Sequence, residues 1–332
     1  MGSFRKILSV FLAAAMLAGG AVSSFAASDS VLVREIEEVA EDYNLPEEFL
    51  EEIEDRERLP LSEFWQTVAN HNLSVEFMQR FTEDYYVYKK NNAYHFQAIN
   101  PNIPHNSYDW SNLVRHEDSN EVRYVVDGEN HGVKGIDVSS YQGDIDWAAV
   151  KASGIDFAMI RAGYRGATRG KLNEDSKFAD NYTGAKDAGV KVGIYFFSQA
   201  TSVTEAEEEA GYVLQLLQNK SVDYPVVFDW EQTSVDGSRT ADATGEQITS
   251  YASAFCKKIA KAGYTAGVYF NRSLGYNYYD LEQLKDFEFW LAEYRSVPAF
   301  YYNFGLWQYS DNAQVQGIDA AVDINVSFKN YG

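Results

Sequence analysis

Residues 225–231 read PVVFDWE, an apolar run that ends in two carboxylates separated by one tryptophan. Val226, Val227 and Phe228 describe a strand without an exposed face, bounded upstream by Pro225. Side chains alternate along a strand, so Asp229 and Glu231 point to the same side, roughly 7 Å apart along the backbone. Like charges at that spacing repel, and burial strengthens the repulsion. Such a pair is either compensated by its neighbours or kept for chemistry.

Seven further runs of the same kind surround it. They are KGIDVS at 134–139, IDFAMIRAG at 155–163, VKVGIYFFS at 190–198, YTAGVYF at 264–270, FEFWLAEY at 287–294, FGLWQYS at 304–310 and IDAAVDIN at 318–325. Helical stretches separate the first five strands: WAAVKAS, EDSKFADNYTGAKDAG, TEAEEEAGYVLQLLQ and EQITSYASAFCKKIAKAG. Gly154, Gly189 and Gly263 stand where a helix C-terminus favours glycine. Eight strands with this alternation predict an α/β fold, a (β/α) barrel. Only nine residues separate Tyr294 from Phe304, and seven separate Ser310 from Ile318. A parallel crossover needs about a dozen or more. The final strands are therefore expected to run antiparallel, with helices missing on that side: an irregular TIM-like barrel over 131–332.

The chain of 332 residues suggests about two domains. Residues 1–27 carry Arg5 and Lys6, then the short apolar run ILSVFLAAAMLAG, then Ser24-Phe25-Ala26. That pattern is an export signal, too short for the ~20 residues of a membrane span. Residues 28–130 hold 23 acidic against 8 basic residues, so most of the net charge of −21 sits there. VREIEEVAEDY and PEEFLEEIEDRER have helical spacing, and the region is expected to be a small, mainly helical acidic domain. A faint repeat pairs NLPEEFLEEI from Asn44 with NLSVEFMQRF from Asn72, at a 28-residue offset. It marks either a duplicated two-helix unit that docks a protein partner or two ordinary amphipathic hairpins. Residues 91–130 are Asn-rich and aperiodic, a loop-rich connector or an added β-element.

The strand ends of a barrel gather functional groups. Asp137, Asp229, Glu231 and Asp323 lie at or near such ends, with the aromatics Tyr141, Tyr195, Phe197, Tyr269 and Tyr294 and the triplet Trp307-Gln308-Tyr309. Carboxylates among aromatic faces suit a sugar, whose apolar faces stack on rings while the carboxyls exchange protons. All five histidines stand at or before His131, so a Ser-His-Asp or Cys-His mechanism within the barrel is excluded. No phosphate-cradling glycine loop occurs, and no cofactor is expected. The acidity argues against a nucleic-acid partner. Cys256 is the only cysteine, so no intramolecular disulfide forms.

The ordered set GIDVSSYQG, FAMIRAGY, GIYFFSQA, VVFDWE, GVYFN, FWLAEY, LWQYS and AVDIN resembles the family 25 glycoside hydrolases, the secreted N-acetylmuramidases or lysozymes, over about 132–328. The resemblance implies hydrolysis of the β-1,4 bond between N-acetylmuramic acid and N-acetylglucosamine in peptidoglycan. It implies Glu231 as general acid, Asp229 as its partner carboxylate, and Asp137 and Asp323 as the other acidic positions. The context VDIN favours Asp323 over Asp319 for the last of these. Tyr141, Tyr195, Phe197, Tyr269, Tyr294, Trp307 and Gln308 are the candidate substrate contacts. Tyr195-Phe196-Phe197 departs from a frequent Tyr-His-Phe, which would remove a sugar contact. An ionised Asp229 is expected to raise the Glu231 pKa by repulsion. The expected setting is outside the cell or on the wall. Two competing functions are a non-catalytic wall-glycan binder and a chitinase-like hydrolase, whose barrels also end a strand in D-x-E.

Overall fold

The computed structural model describes residues 30–82, 85–90, 93–116 and 121–331. The export signal read at 1–27 lies outside the described residues. The chain opens with β1 (Ser30–Leu32), α1 (Val33–Glu37), α2 (Glu47–Ile53), β2 (Arg58–Pro60), α3 (Leu61–Asn70) and α4 (Val75–Arg80). These share their own apolar core, built on Phe49, Phe64, Trp65 and Phe77.

The 28-residue repeat exists in the backbone. Asn44 and Asn72 both take positive φ, 49° and 52°, a region asparagine tolerates better than most residues. Each is followed by the same helix-closing bond, Leu45 N–H to the Ala40 carbonyl at 2.9 Å and Leu73 N–H to the Val68 carbonyl at 3.1 Å. The equivalent Phe49 and Phe77 then pack edge to face, 6.0 Å between centroids.

Among the described residues before 131, the α-helices lie within 33–80. From Tyr85 to Asn130 the regular elements are mostly strands: β3 (Tyr85–Lys90), β4 (Ala93–Ala98), β5 (Leu113–His116), β6 (Glu121–Val126) and β7 (Glu129–Asn130). The expected mainly helical character thus ends well before residue 130.

Then comes the barrel: β8 (Val133–Val138), α5 (Trp147–Ala152), β9 (Phe157–Arg165), β10 (Leu172–Glu174), α6 (Phe178–Asp187), β11 (Lys191–Ser198), α7 (Val203–Leu216), β12 (Val226–Trp230), α8 (Gly245–Lys261), β13 (Ala266–Asn271), α9 (Arg272–Asn277), α10 (Leu281–Leu284), β14 (Glu288–Ala292), β15 (Leu306–Ala313) and β16 (Val322–Ser327). The order β8-β9-β11-β12-β13-β14-β15-β16 closes back on β8, which makes a mixed α/β fold around an eight-stranded closed barrel. β10 folds back antiparallel on the end of β9.

Two details differ from expectation. β15 pairs parallel to β14, so only β16 runs against its neighbours. The strands end sooner than their sequence runs, leaving 293–305 as a helix-free crossover long enough to turn the chain back. Short α9 and α10 fill the β13–β14 link, where no helix was read.

Strand residues alternate between two apolar layers. Phe228, Trp230 and Trp307 face the outer layer of helices and covering loops, while Phe157, Met159, Val227, Trp290 and Leu306 fill the barrel interior. Glycine makes the interior packing possible: a Cβ on Gly135 would lie 2.3 Å from the Phe157 ring.

On the side without helices, residues from 99–116 and 121–130 supply the outer layer. Ile103 and Val122 are buried in the barrel's outer core. Tyr108 donates to the Phe304 carbonyl at 2.6 Å, and Trp110 stacks on Phe304. The Arg115 guanidinium lies 5.5 Å from the Tyr309 ring centroid. The packing therefore does not divide at residue 130: the expected connector is part of the barrel's wall.

Candidate active site

Each of the eight barrel strands sends a polar or aromatic side chain to the same end. β8 brings Asp137, β9 Arg161, β11 Tyr195, β13 Tyr269, β14 Trp290 and β15 Gln308, all lining a cleft of about 420 Å³. β12 delivers Asp229 and, one step past its end, Glu231 to the same cleft. β16 runs antiparallel, so its beginning lies at this end and places Asp323 directly opposite Asp137 in register. All four carboxylates read from the sequence thus meet in one cleft. Asp319 is exposed and lies outside it.

Asp137 is buried and accepts hydrogen bonds from Gln308 Nε2 at 2.9 Å and Asn325 Nδ2 at 2.7 Å. Those amides are themselves fixed. Trp290 Nε1 donates to Asn325 Oδ1 at 2.8 Å, which turns the Asn325 amino group towards Asp137. Tyr269 and Tyr294 hydroxyls both donate to Gln308 Oε1, at 3.0 and 2.8 Å, which turns Nε2 towards the aspartates. Gln308 Nε2 also reaches Asp323 at 3.3 Å. Burial and then the Asp323 charge hold the Asp137 carboxyl well above the ordinary range.

Asp229 is buried, and its Oδ1 has no hydrogen-bond partner among the described residues. Burial, then Glu231, then Asp137 push its pKa well up, against a smaller opposing pull from Arg161. Glu231 is raised by burial first and the Asp323 charge second. The expected repulsion between Asp229 and Glu231 acts on both carboxyls, and at Glu231 burial and the Asp323 charge add to it. The Glu231 carbonyl accepts from Gln199 Nε2 at 3.2 Å, which ties the end of β12 to the end of β11.

The aromatic predictions divide by strand parity. Tyr195, Phe197 and Tyr269 line the cleft, as does Tyr141, 80% exposed on the turn after β8. That turn is a capping box: Ser139 Oγ accepts from Tyr141 N–H and Gln142 Oε1 from Ser139 N–H. Tyr294 stands half exposed beyond the lining residues and reaches the site through Gln308.

Trp307 is not in the cleft. It points into the outer core, fully buried, with its indole N–H on the Glu293 carbonyl at 2.8 Å. Phe196 likewise faces outward, buried with its ring near Tyr212. A histidine there would face away from the cleft, so the departure from Tyr-His-Phe removes no contact inside it. Asn325, which sequence reading did not single out as a site residue, is buried on Asp137.

Arg161, Tyr164, Trp290, Ser139, Ser140 and Gln142 line the cleft without having been singled out. Arg161 and Tyr164 lie in the quoted FAMIRAGY run and Trp290 in FWLAEY; an inward charge on an apolar strand was the available signal. Among the described residues no group of three or more His, Cys, Asp or Glu is placed to hold a metal ion.

Residues 136–318 match the sequence model of the glycosyl hydrolases family 25, more than half of the chain, and the chain belongs to that family. It is 32% identical over 198 residues to the autolytic lysozyme of Clostridium acetobutylicum, an alignment covering 58% of this chain and 55% of that protein. It is 29% identical over 219 residues to lysozyme M1 of Streptomyces globisporus, covering 62% and 71%. The chain thus spans little more than half the length of the first of these relatives. The fold is similar to that of the modular autolysin LytC of Streptococcus pneumoniae, with a TM-score of 0.54 at 22% identity over 74% of this chain and 56% of that one.

Proposed function

We propose that this protein is an exported peptidoglycan hydrolase that cleaves the β-1,4 bond between N-acetylmuramic acid and N-acetylglucosamine. One observation carries the reading: Asp229 and Glu231 end the central strand β12 inside a cleft that also holds Asp137 and Asp323. Family membership and the lysozyme relatives support the substrate class. No helix among the described residues is long and apolar enough to cross a membrane; release from the signal at 1–27 would leave the enzyme outside the cell or on the wall. The catalytic unit is read as an irregular TIM-like barrel completed by 99–130, with the acidic helical unit before it as an accessory.

In the proposed reaction Glu231 donates its proton to the glycosidic oxygen as the C1–O bond breaks. Burial and the Asp323 charge both favour the protonated form that this step needs. Asp229 Oδ1, buried without a partner, suits the N–H of the sugar's 2-acetamido group. That bond would aim the acetamido carbonyl oxygen at C1, so the new C1–O bond forms within the substrate and the positive charge lies beside Asp229. Water then attacks C1, the acetamido oxygen leaves, and Glu231 takes the water's proton back. The orphaned oxygen favours this neighbouring-group route over direct displacement by water, and substrate assistance is an attested exception to the two-carboxylate scheme.

The test is to digest peptidoglycan with the mature chain, reduce the new ends with borohydride and identify the reduced sugar. Muramitol supports the reading. Glucosaminitol changes the bond, and an absence of new ends overturns hydrolysis.

A further inference from the structure

Arg161 is the one basic side chain among the described residues lining a cleft that holds four carboxyls. Its orientation is fixed from behind. Asp175, whose side chain is fully buried, accepts from Arg161 Nε at 2.8 Å and lies 2.7 Å from Nη2, and Nη2 also reaches Ser140 Oγ at 3.2 Å. Asp175 is in turn held by the Ser140 and Lys177 backbone N–H groups, at 3.1 and 2.9 Å. The guanidinium lies against two rings that rim the cleft, 5.1 Å from the Tyr141 centroid and 5.5 Å from Tyr164. Nη1 alone has no partner among the described residues.

A guanidinium held through Nε and Nη2, with Nη1 free, is a preorganised charged donor for an oxyanion, and little rotamer freedom is left to lose on binding. A carboxylate ligand entering this acidic cleft has one place to go. We propose that the free Nη1 of Arg161 binds a carboxylate of the substrate and so selects muramic acid, whose lactyl arm bears one, over plain N-acetylglucosamine polymers. This rests on the peptidoglycan reading. The carboxylate has two sources, the lactyl arm itself or the peptide stem attached to it.

The test uses the full mature chain carrying Glu231→Gln, so that binding is read without turnover. Three muramyl tetrasaccharides are titrated by calorimetry: one with free lactyl carboxylates, one with lactyl N-methylamides, and one bearing stem peptides. A carboxylate-bearing ligand is expected to bind at least about tenfold tighter than the methylamide, about 1.4 kcal/mol. Preference for the free lactyl form assigns the lactyl arm; preference for the stem-bearing form alone assigns the stem. Adding Arg161→Met should shrink the preference to within about twofold. Should that variant fail to fold, Arg161→Lys, which keeps the charge and loses the guanidinium held by Asp175 and Ser140, should lower the preference at least about threefold. Equal binding of the three ligands, no binding of any, or a preference that survives replacement of Arg161 overturns the proposal. The reducing-end assay on the unmodified chain judges hydrolysis separately.

Discussion

Gln308 donates to Asp137 across 2.9 Å with an amide whose other end is fastened by two tyrosine hydroxyls. The donor favours the ionised form of Asp137, against burial and the Asp323 charge. Gln308→Leu removes it. Hydrogen bonds to charged groups are worth roughly 1.5–3 kcal/mol, so turnover should fall about 10- to 100-fold. The pKa of Asp137 should rise further, and the acid limb of the kcat/KM profile should move to higher pH. A pH–rate series on both proteins checks this; a limb that stays in place would mean that Gln308 only packs.

Glu231→Gln keeps the shape of the side chain and removes the proton it would donate. The fold should survive, because Glu231 accepts at its backbone carbonyl rather than through its carboxyl. Turnover should drop about 10²- to 10⁴-fold, the usual worth of a positioned general acid. Reducing-end release and circular dichroism on the same preparation test both halves, and near-normal lysis would remove Glu231 from the acid role.

Much of this site was readable from the strands. Apolar runs ending in Asp137 and in Asp229-Trp-Glu231 located both carboxylate positions, since a strand buried on both faces carries a charge only at its end or for a purpose. The face of a residue within such a strand was not readable. Trp307 and Gln308 are neighbours on β15, and with both faces buried no polar alternation marks which one meets the cleft. Phe196 was misjudged for the same reason, with a register irregularity at Tyr195/Phe196 adding to it. The Arg161–Asp175 contact forms because β10 folds back on β9, a turn without a hydrophobic period. Residues 91–130 read as a loop-rich connector or an added β-element because aromatic contacts with partners some 200 positions later in sequence leave no local pattern.

Asp229→Asn should lose turnover and gain stability. The folded pKa of Asp229 is raised by burial and by Glu231, so the native state holds this proton at higher pH than the unfolded chain does. The ionised carboxylate therefore costs stability above the folded pKa, and that cost disappears as pH falls below the unfolded value near 3.9. At pH 7 the variant's Tm should exceed the parent's by about 2–4 °C, what roughly 1 kcal/mol is worth in a chain of this size. The difference should shrink as the melts are taken to lower pH. A variant that melts lower at pH 7 would show that Asp229 is compensated in the folded state.

Glu209 offers a second, separate pH effect. It is buried between α7 and the barrel, accepts from Arg165 Nε at 2.7 Å and Ser198 Oγ at 2.6 Å, and is pushed up to about 7, mainly by burial. Its folded pKa again exceeds the unfolded one, so its contribution to stability declines as pH rises from 4.5 through about 7 and levels off above that. Glu209→Gln should flatten that part of the Tm–pH curve between pH 5 and 8. A curve of unchanged slope would place the pH dependence elsewhere.

Where the chain can be cut tests how the barrel is closed. A chain beginning at residue 131 lacks Ile103 and Val122, which are buried in the outer core, and Tyr108 and Trp110, which cover Phe304. Strands β15 and β16 would then expose the apolar face that helices cover elsewhere. Fully burying one such side chain is worth roughly 1.5–3 kcal/mol, and several are lost together, against a total stability of about 5–15 kcal/mol for a typical protein. That chain should aggregate or melt far below the parent. A chain beginning at residue 99 keeps the layer and gives up the helical unit, whose apolar core is its own, the β3–β4 hairpin, and the contacts of Tyr86 with Tyr276 and Arg272. It should stay soluble and melt cooperatively. Equal solubility and Tm for the two chains would mean that the segment 99–130 rests on the barrel without stabilising it.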